Sequence, residues 1–287
     1  MMQTLPGAAI IQAAIAPGHE GELVSFLSAA MPSKVPEGCV ALCDAAPGAG
    51  LYDVMEGVAV IGVLGVLVRS LGYIGSSWAT GYDCLRVQIQ AALSDPAVQD
   101  VALYVDSPGG EAAGCFELAA WMREAQQAST KRVVAIVGNY AYSAAYALAS
   151  STSSLSVPQL GGVGSIGVVI AHVSYAGMLE KMGIAVNFVF SGSHKVDGNP
   201  YQDLPQAVRD RWTANIDATR RLFCDSVAAG RAAAGATLTS DDAWATEALC
   251  FSGLLGTAEA VSKGLADAVM SPDDAFKALI ASRSGRT

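Results

Sequence analysis

Three short stretches of the 287-residue chain hold residues that could do chemistry. In VVAIVGNYAYSAAYALAS, Val133 to Ser150, an apolar run ends in a turn and a helix of small residues opens at Ser143. A serine there lies where free N–H groups and the helix dipole favour negative charge. It reads either as an ordinary N-cap or as a nucleophile, provided a base removes its proton. In FVFSGSHKVDGNPY, Phe188 to Tyr201, a loop of turn residues carries His194 and Lys195. A loop lysine is ordinarily just solvated. An uncharged lysine amine can act as a base, however, and burial in apolar surroundings moves lysine toward that state. In VALYVDSPGG, a strand runs from Val101 into Asp106, Ser107, Pro108, Gly109 and Gly110. Glycines let a backbone approach a ligand closely, and N–H groups at such a corner can donate to a developing oxyanion. The same pattern also fits a plain strand-to-helix turn.

The elements that must position these residues alternate between apolar strand-like runs and helical stretches, which indicates an α/β domain. Strands are expected at Val58 to Val68, Val101 to Val105, Val133 to Val137, Ile166 to Val173 and Ile184 to Phe190. Helices are expected at Tyr82 to Leu93, Glu111 to Gln127, from Ser143 onward, and at Ser174 to Met182. Further helices are expected at Leu204 to Ala234, Asp241 to Ala248 and Ala258 to Lys263. Residues 1–56 read as an N-terminal extension with helix around Glu20 to Ala30, 57–270 as the main domain, and 271–287 as a C-terminal helix and tail. Asp106 is expected to brace the glycine turn and Asp197 to hold its own loop. Arg209, Arg211, Arg220 and Arg221 are expected on a solvated helix face, with a subunit contact as the alternative.

Bulk properties remove several classes of function. Hydrophobic residues make up 52% and charged residues 15%, enough for a sizeable core. A formal net charge of −9 argues against nonspecific nucleic-acid binding, which uses a basic face. The longest apolar run, Gly57 to Val68, is too short to span a bilayer, and Lys34 is the first basic residue, so neither an anchor nor an export signal is expected. The six cysteines form no C-x-x-C pair and only three histidines occur, which disfavours zinc and suggests buried, reduced thiols.

In this order, the three stretches resemble the signal peptide peptidase A family of Ser–Lys peptidases, and most closely its phage branch of prohead (capsid maturation) proteases of the protein C type. The branch is suggested by HKVDGNPYQDLP and by the following PQAVRDRWTANIDATRRLFCDSVAAGR. Lys195 stands 52 positions after Ser143, and GTAEAVSKGLADAV is similar to the family's closing helix and strand. The resemblance covers Val58 to Val269. It implies a ClpP/crotonase-like spiral of ββα units, with Ser143 as nucleophile and Lys195 as general base. It also implies an oxyanion hole from the N–H groups of Gly110 and Ala144, and Ser165 in VGSIGV as the hydroxyl that orients the lysine. Ala144 and Ala145 stand where family members often carry glycine. No cofactor or metal is implied.

The function expected on that resemblance is a serine endopeptidase that cuts scaffold, portal or capsid protein in a procapsid in the host cytoplasm, working as a homo-oligomer. Rival readings are a soluble bacterial relative, a crotonase-type acyl-CoA enzyme that needs no serine nucleophile, and a capsid component with a decayed site. A Ser-His-Asp mechanism would have to use His19, His172 or His194.

Overall fold

The computed structural model describes residues 12–15, 39–41 and 50–283. The expected helix at Glu20 to Ala30 lies outside them. Short strands β1 (Gln12–Ile15), β2 (Val40–Ala41) and β3 (Asp53–Met55) precede the long β4 (Val58–Val68). After β5 (Tyr73–Ile74) and β6 (Ala79–Gly81), helix α1 (Tyr82–Ser94) leads to β7 (Asp100–Glu111), and α2 (Cys115–Gln127) leads to β8 (Arg132–Tyr142). Helix α3 (Ala144–Ala149) follows β8 after one residue, Ser143. Then come β9 (Ser154–Val157), β10 (Gly162–Gly164), β11 (Val169–Ile170) and α4 (Ala176–Lys181). The 28-residue α5 (Gln206–Ala233), α6 (Ser240–Trp244), β12 (Cys250–Ser252), α7 (Gly253–Ser262), β13 (Ala268–Val269) and α8 (Pro272–Ala281) complete the chain.

Strands β4, β7 and β8 pair in parallel at the centre of an 11-stranded sheet. Strands buried on both faces carry continuous apolar sequence, and alternate residues then serve different layers. Ile61, Leu103 and Ala135 point into the main core with Leu85 and Ile89 of α1, Met122 of α2, the whole of α3, and Phe223 and Val227 of α5. Their neighbours Val58, Ala102, Val134 and Ile136 pack on the other face against Ala275 and Leu279 of α8.

Charged residues tie the periphery to this core. Arg231 of α5 is fully buried; its guanidinium forks onto Asp267 at 2.5 and 3.1 Å and donates to Gly264 O. Asp267 in turn accepts the Leu155 N–H at 2.6 Å, so one pair joins α5, β9 and the approach to β13. Asp100, also fully buried, is met by both Arg132 and Arg283.

Several expectations differ, among them the strand at Ile166 to Val173, which contracts to Val169–Ile170. Residues 184–190 form no strand, and Ile184, Val186, Val189 and Phe190 are exposed. Their apolar pattern has no strand partner within one copy. The arginines of α5 are not merely solvated: Arg220 donates to the carbonyls of Ile166 and Trp244, Arg221 pairs with Asp241, and both stack on Trp244.

Candidate active site

The site lies where β7 and β8 part. Their parallel register runs from Asp100↔Arg132 to Val105↔Val137, slips, and ends at Ser107↔Ala141. Beyond this point β8 pairs with β10, and β7 continues as far as Glu111 between β4 and β1. The Pro-Gly-Gly sequence expected to turn is therefore strand, held by partners distant in sequence. Gly110 must be glycine: a Cβ there would stand 1.9 Å from Leu67 O of β4.

Ser143 occupies the one-residue link from β8 to α3 with φ 54° and ψ −120°. A non-glycine residue at positive φ is strained by roughly 1–3 kcal/mol and persists only when its surroundings hold it. Two bonds do so: Ser143 N–H donates to Gly164 O at 2.8 Å, and its carbonyl accepts the Ala147 N–H at 2.9 Å. The side chain is fully buried, makes no capping bond, and leaves Oγ without a hydrogen-bond partner. The plain N-cap role considered for it is thus absent. Behind it α3 is entirely buried, with Tyr146 donating to Leu265 O at 2.9 Å. The Cys115 thiol reaches Ala144 O at 3.5 Å, which ties the start of α2 to the start of α3. Ala144 is the first residue of α3, where backbone N–H groups lack intrahelical partners.

Ser165 lies next to this turn, because Ser143 bonds the carbonyl of Gly164. It too has positive φ, 56°, is buried, and donates its N–H to Leu249 O at 2.9 Å. Its hydroxyl bonds the Cys250 thiol, which burial pushes up and this bond pulls back.

Lys195 is not brought to Ser143 within one copy. It is exposed, in a turn closed by its own N–H to Gly192 O at 3.1 Å. The loop is nevertheless fixed in shape. Asn199 bridges Val196 O and the Tyr201 N–H, and His172 Nε2 contacts Asn199 O at 3.1 Å. Asp197 pairs with His194 at 2.9 Å and with Arg211 of α5. Desolvation pushes the Asp197 carboxyl up, but the bonds from Arg211 and His194 outweigh it and hold the group below its usual range. Asp197 thus holds its own loop through His194, as expected, and through Arg211 also clamps it onto α5. His172 and His194 are both engaged away from Ser143, whose Oγ bonds neither; His19 lies outside the described residues.

Asp106 sits on β7 beside the parting. It accepts the Tyr140 backbone N–H, so it braces β8 rather than the glycines. Its Oδ1 is unpartnered, and burial pushes its carboxyl up. Cys84 and Cys115 are free thiols pushed up to about 12 by burial, as expected of inert core cysteines. Among the described residues no group of three or more His, Cys, Asp or Glu side chains could hold a metal ion. No helix among them is long and apolar enough to cross a membrane. The sequence reading missed β1, because four residues inside an apolar, Pro-Gly-broken stretch carry no distinct period.

The model of peptidase family S49 matches residues 125–284. Head-tail preconnector protein GP5 of Enterobacteria phage P21 is 40% identical over 80% of this chain and 44% of its own length. Capsid assembly protease C of Escherichia phage lambda is 40% identical over 78% and 49%, respectively. A putative signal peptide peptidase SppA of Enterococcus faecium is 27% identical over 67% and 53%. The chain thus spans about half the length of the curated relatives it matches. The chain belongs to peptidase family S49, and its mostly parallel sheet and covering helices are the ClpP-like fold of that family.

Proposed function

We propose that this chain is a serine endopeptidase in which Ser143 is the nucleophile and Lys195 the general base, and that it cuts scaffold, portal or capsid protein during phage head maturation. The observation that carries the reading is Ser143: a strained, fully buried residue whose hydroxyl has no partner. Strain and an orphaned polar group are costs that a structural serine would not carry. The names of the phage relatives support the capsid setting.

In the proposed cycle an uncharged Lys195 amine takes the Ser143 proton, and Oγ attacks the scissile carbonyl. The N–H groups of Gly110 and Ala144 receive the oxyanion, where preorganised donors are worth several kcal/mol. The lysine then returns its proton to the leaving amine, an acyl-serine forms, and water hydrolyses it. Ser165 is assigned the bond that aims the amine.

For this to happen, the amine must reach a hydroxyl from which it is separate in one copy. The loop of Lys195 is clamped to α5, and near it Val173, Met182, Ile184, Val189 and Phe190 are exposed. Such a run of exposed apolar side chains favours self-association, and we assign the base of each site to a neighbouring copy. The test mixes Ser143→Ala with Lys195→Ala chains after dissociation and reassembly. Each variant alone should lose at least about 1000-fold in kcat/KM. An equal mixture should regain about one quarter of the wild-type rate, because half the sites keep Ser143 and half of those meet an intact lysine. Full activity of either variant alone would reject the dyad; silence of the mixture would reject the shared site.

A further inference from the structure

The gap left where β8 turns away from β7 is filled by the chain's own N-terminal strand. In β1, Ala13, Ala14 and Ile15 pair antiparallel with Glu111, Gly110 and Gly109 of β7. On the opposite edge Gln12 and Ala13 pair antiparallel with Ile170 and Val169 of β11. A four-residue strand thus lies between two edges that would otherwise be unpaired, one of them bearing Gly110. Peptide recognition by strand addition uses such edges, with main-chain bonds supplying affinity. The buried, unpartnered hydroxyl of Ser143 stands at the end of the strand that made the gap.

We infer that the channel between Gly109–Glu111 and Val169–Ile170 is the subsite for an extended peptide, and that Gln12–Ile15 occupies it as an intramolecular stand-in for substrate. The inference rests on the assignment of Ser143 as nucleophile for its meaning, though the strand exchange itself does not need catalysis. The register puts Ala14 opposite Gly110, so the tether competes with a peptide in trans for the same backbone groups. A tethered strand acts at an effective concentration on the order of millimolar. A free peptide at micromolar concentration is therefore largely excluded until the tether leaves.

The test uses the full chain carrying Ser143→Ala, so that nothing is cut, and a fluorescent peptide of its own sequence, AAIIQAAIAP, from Ala8 to Pro17. Ala14→Pro, or Ala13→Pro as a second variant, removes a ladder N–H from a strand paired on both edges. Either should tighten peptide binding, read by anisotropy, at least about 10-fold. The same peptide with proline at the Ala14 position should not bind. Amide exchange in the otherwise unaltered Ser143→Ala chain should show protection at those amides of Gly109–Glu111 and Val169–Ile170 that face β1, every second one along each strand, with that protection lost in the proline variants that keep a cooperative melt. Equal peptide affinity with and without the proline overturns the inference, as does rapid exchange at the amides that face β1. Hydrolysis by the Ser143→Ala chain would refute the nucleophile instead and leave the strand result standing.

Discussion

Replacing Ser143 by alanine should abolish hydrolysis and make the protein more stable. The buried Oγ has no partner, and an unsatisfied buried hydroxyl costs about 1–3 kcal/mol of desolvation. Removing it leaves a void of roughly 10 Å³, worth only about 0.2 kcal/mol at the usual cavity coefficient. The net gain is about 0.8–2.8 kcal/mol. In a chain of this size each kcal/mol moves Tm by about 2–4 °C, so Tm should rise by about 2–11 °C. If the hydroxyl instead caps α3, its loss would cost about 1 kcal/mol and Tm would fall. The two accounts differ in sign. Scanning calorimetry of wild type and variant at one protein concentration, beside a peptide hydrolysis assay, decides between them. Ser143→Gly should go further, since glycine also relieves the positive φ by about 1–3 kcal/mol, less about 0.5–1 for its unfolded-state entropy. A lower Tm for Ser143→Ala would refute the argument that this serine is held at a structural cost.

Asp106→Asn should raise Tm at pH 7 and keep the bond from Tyr140. Burial lifts the folded carboxyl above its usual value of 3.8, so the wild type is favoured at low pH and loses that advantage as pH rises through the lifted value. The gap between variant and wild type should therefore close as melts are repeated down to about pH 4. Arg231→Met should lower stability by about 3 kcal/mol in urea denaturation, the lower end for breaking a buried pair, because Asp267 keeps the Leu155 N–H and is partly exposed. Gly110→Ala should prevent labelling of Ser143 by a fluorophosphonate even where the chain still folds, since β4 must move away from a Cβ placed 1.9 Å from Leu67 O; labelling at the wild-type rate would count against Gly110 as an oxyanion donor.

The parts of the fold with a local cause were legible in the sequence. β4 spans Val58–Val68 as its apolar run indicates, and α1 begins at Tyr82 as its period indicates. Ser143 was visible as a serine between a buried strand and a small-residue helix. Parts set by distant partners were not legible. Pro108, Gly109 and Gly110 have turn chemistry, yet the pairing with β4 and β1 makes them strand. The expected strand at Ile166 to Val173 contracts to Val169–Ile170, the stretch that meets β1. The alternation in residues 184–190 is real, but an alternating sequence without a neighbouring edge stays unpaired. Spacing also could not say that the loop of Lys195 is clamped onto α5, because the arginine that holds Asp197, Arg211, lies 14 residues further along the chain.

The separation of the amine on its clamped loop from the hydroxyl sealed beneath α3 has a kinetic consequence. If the shared-site assignment holds, a solitary chain in dilute solution would carry both halves of a reaction that it could not start. Under the shared-site assignment, turnover per chain should climb with total protein, giving a rate of higher than first order in dilute samples that flattens once association saturates. Crowding many copies into one small compartment would then act as the ignition step, and the same chains dispersed would spare everything around them.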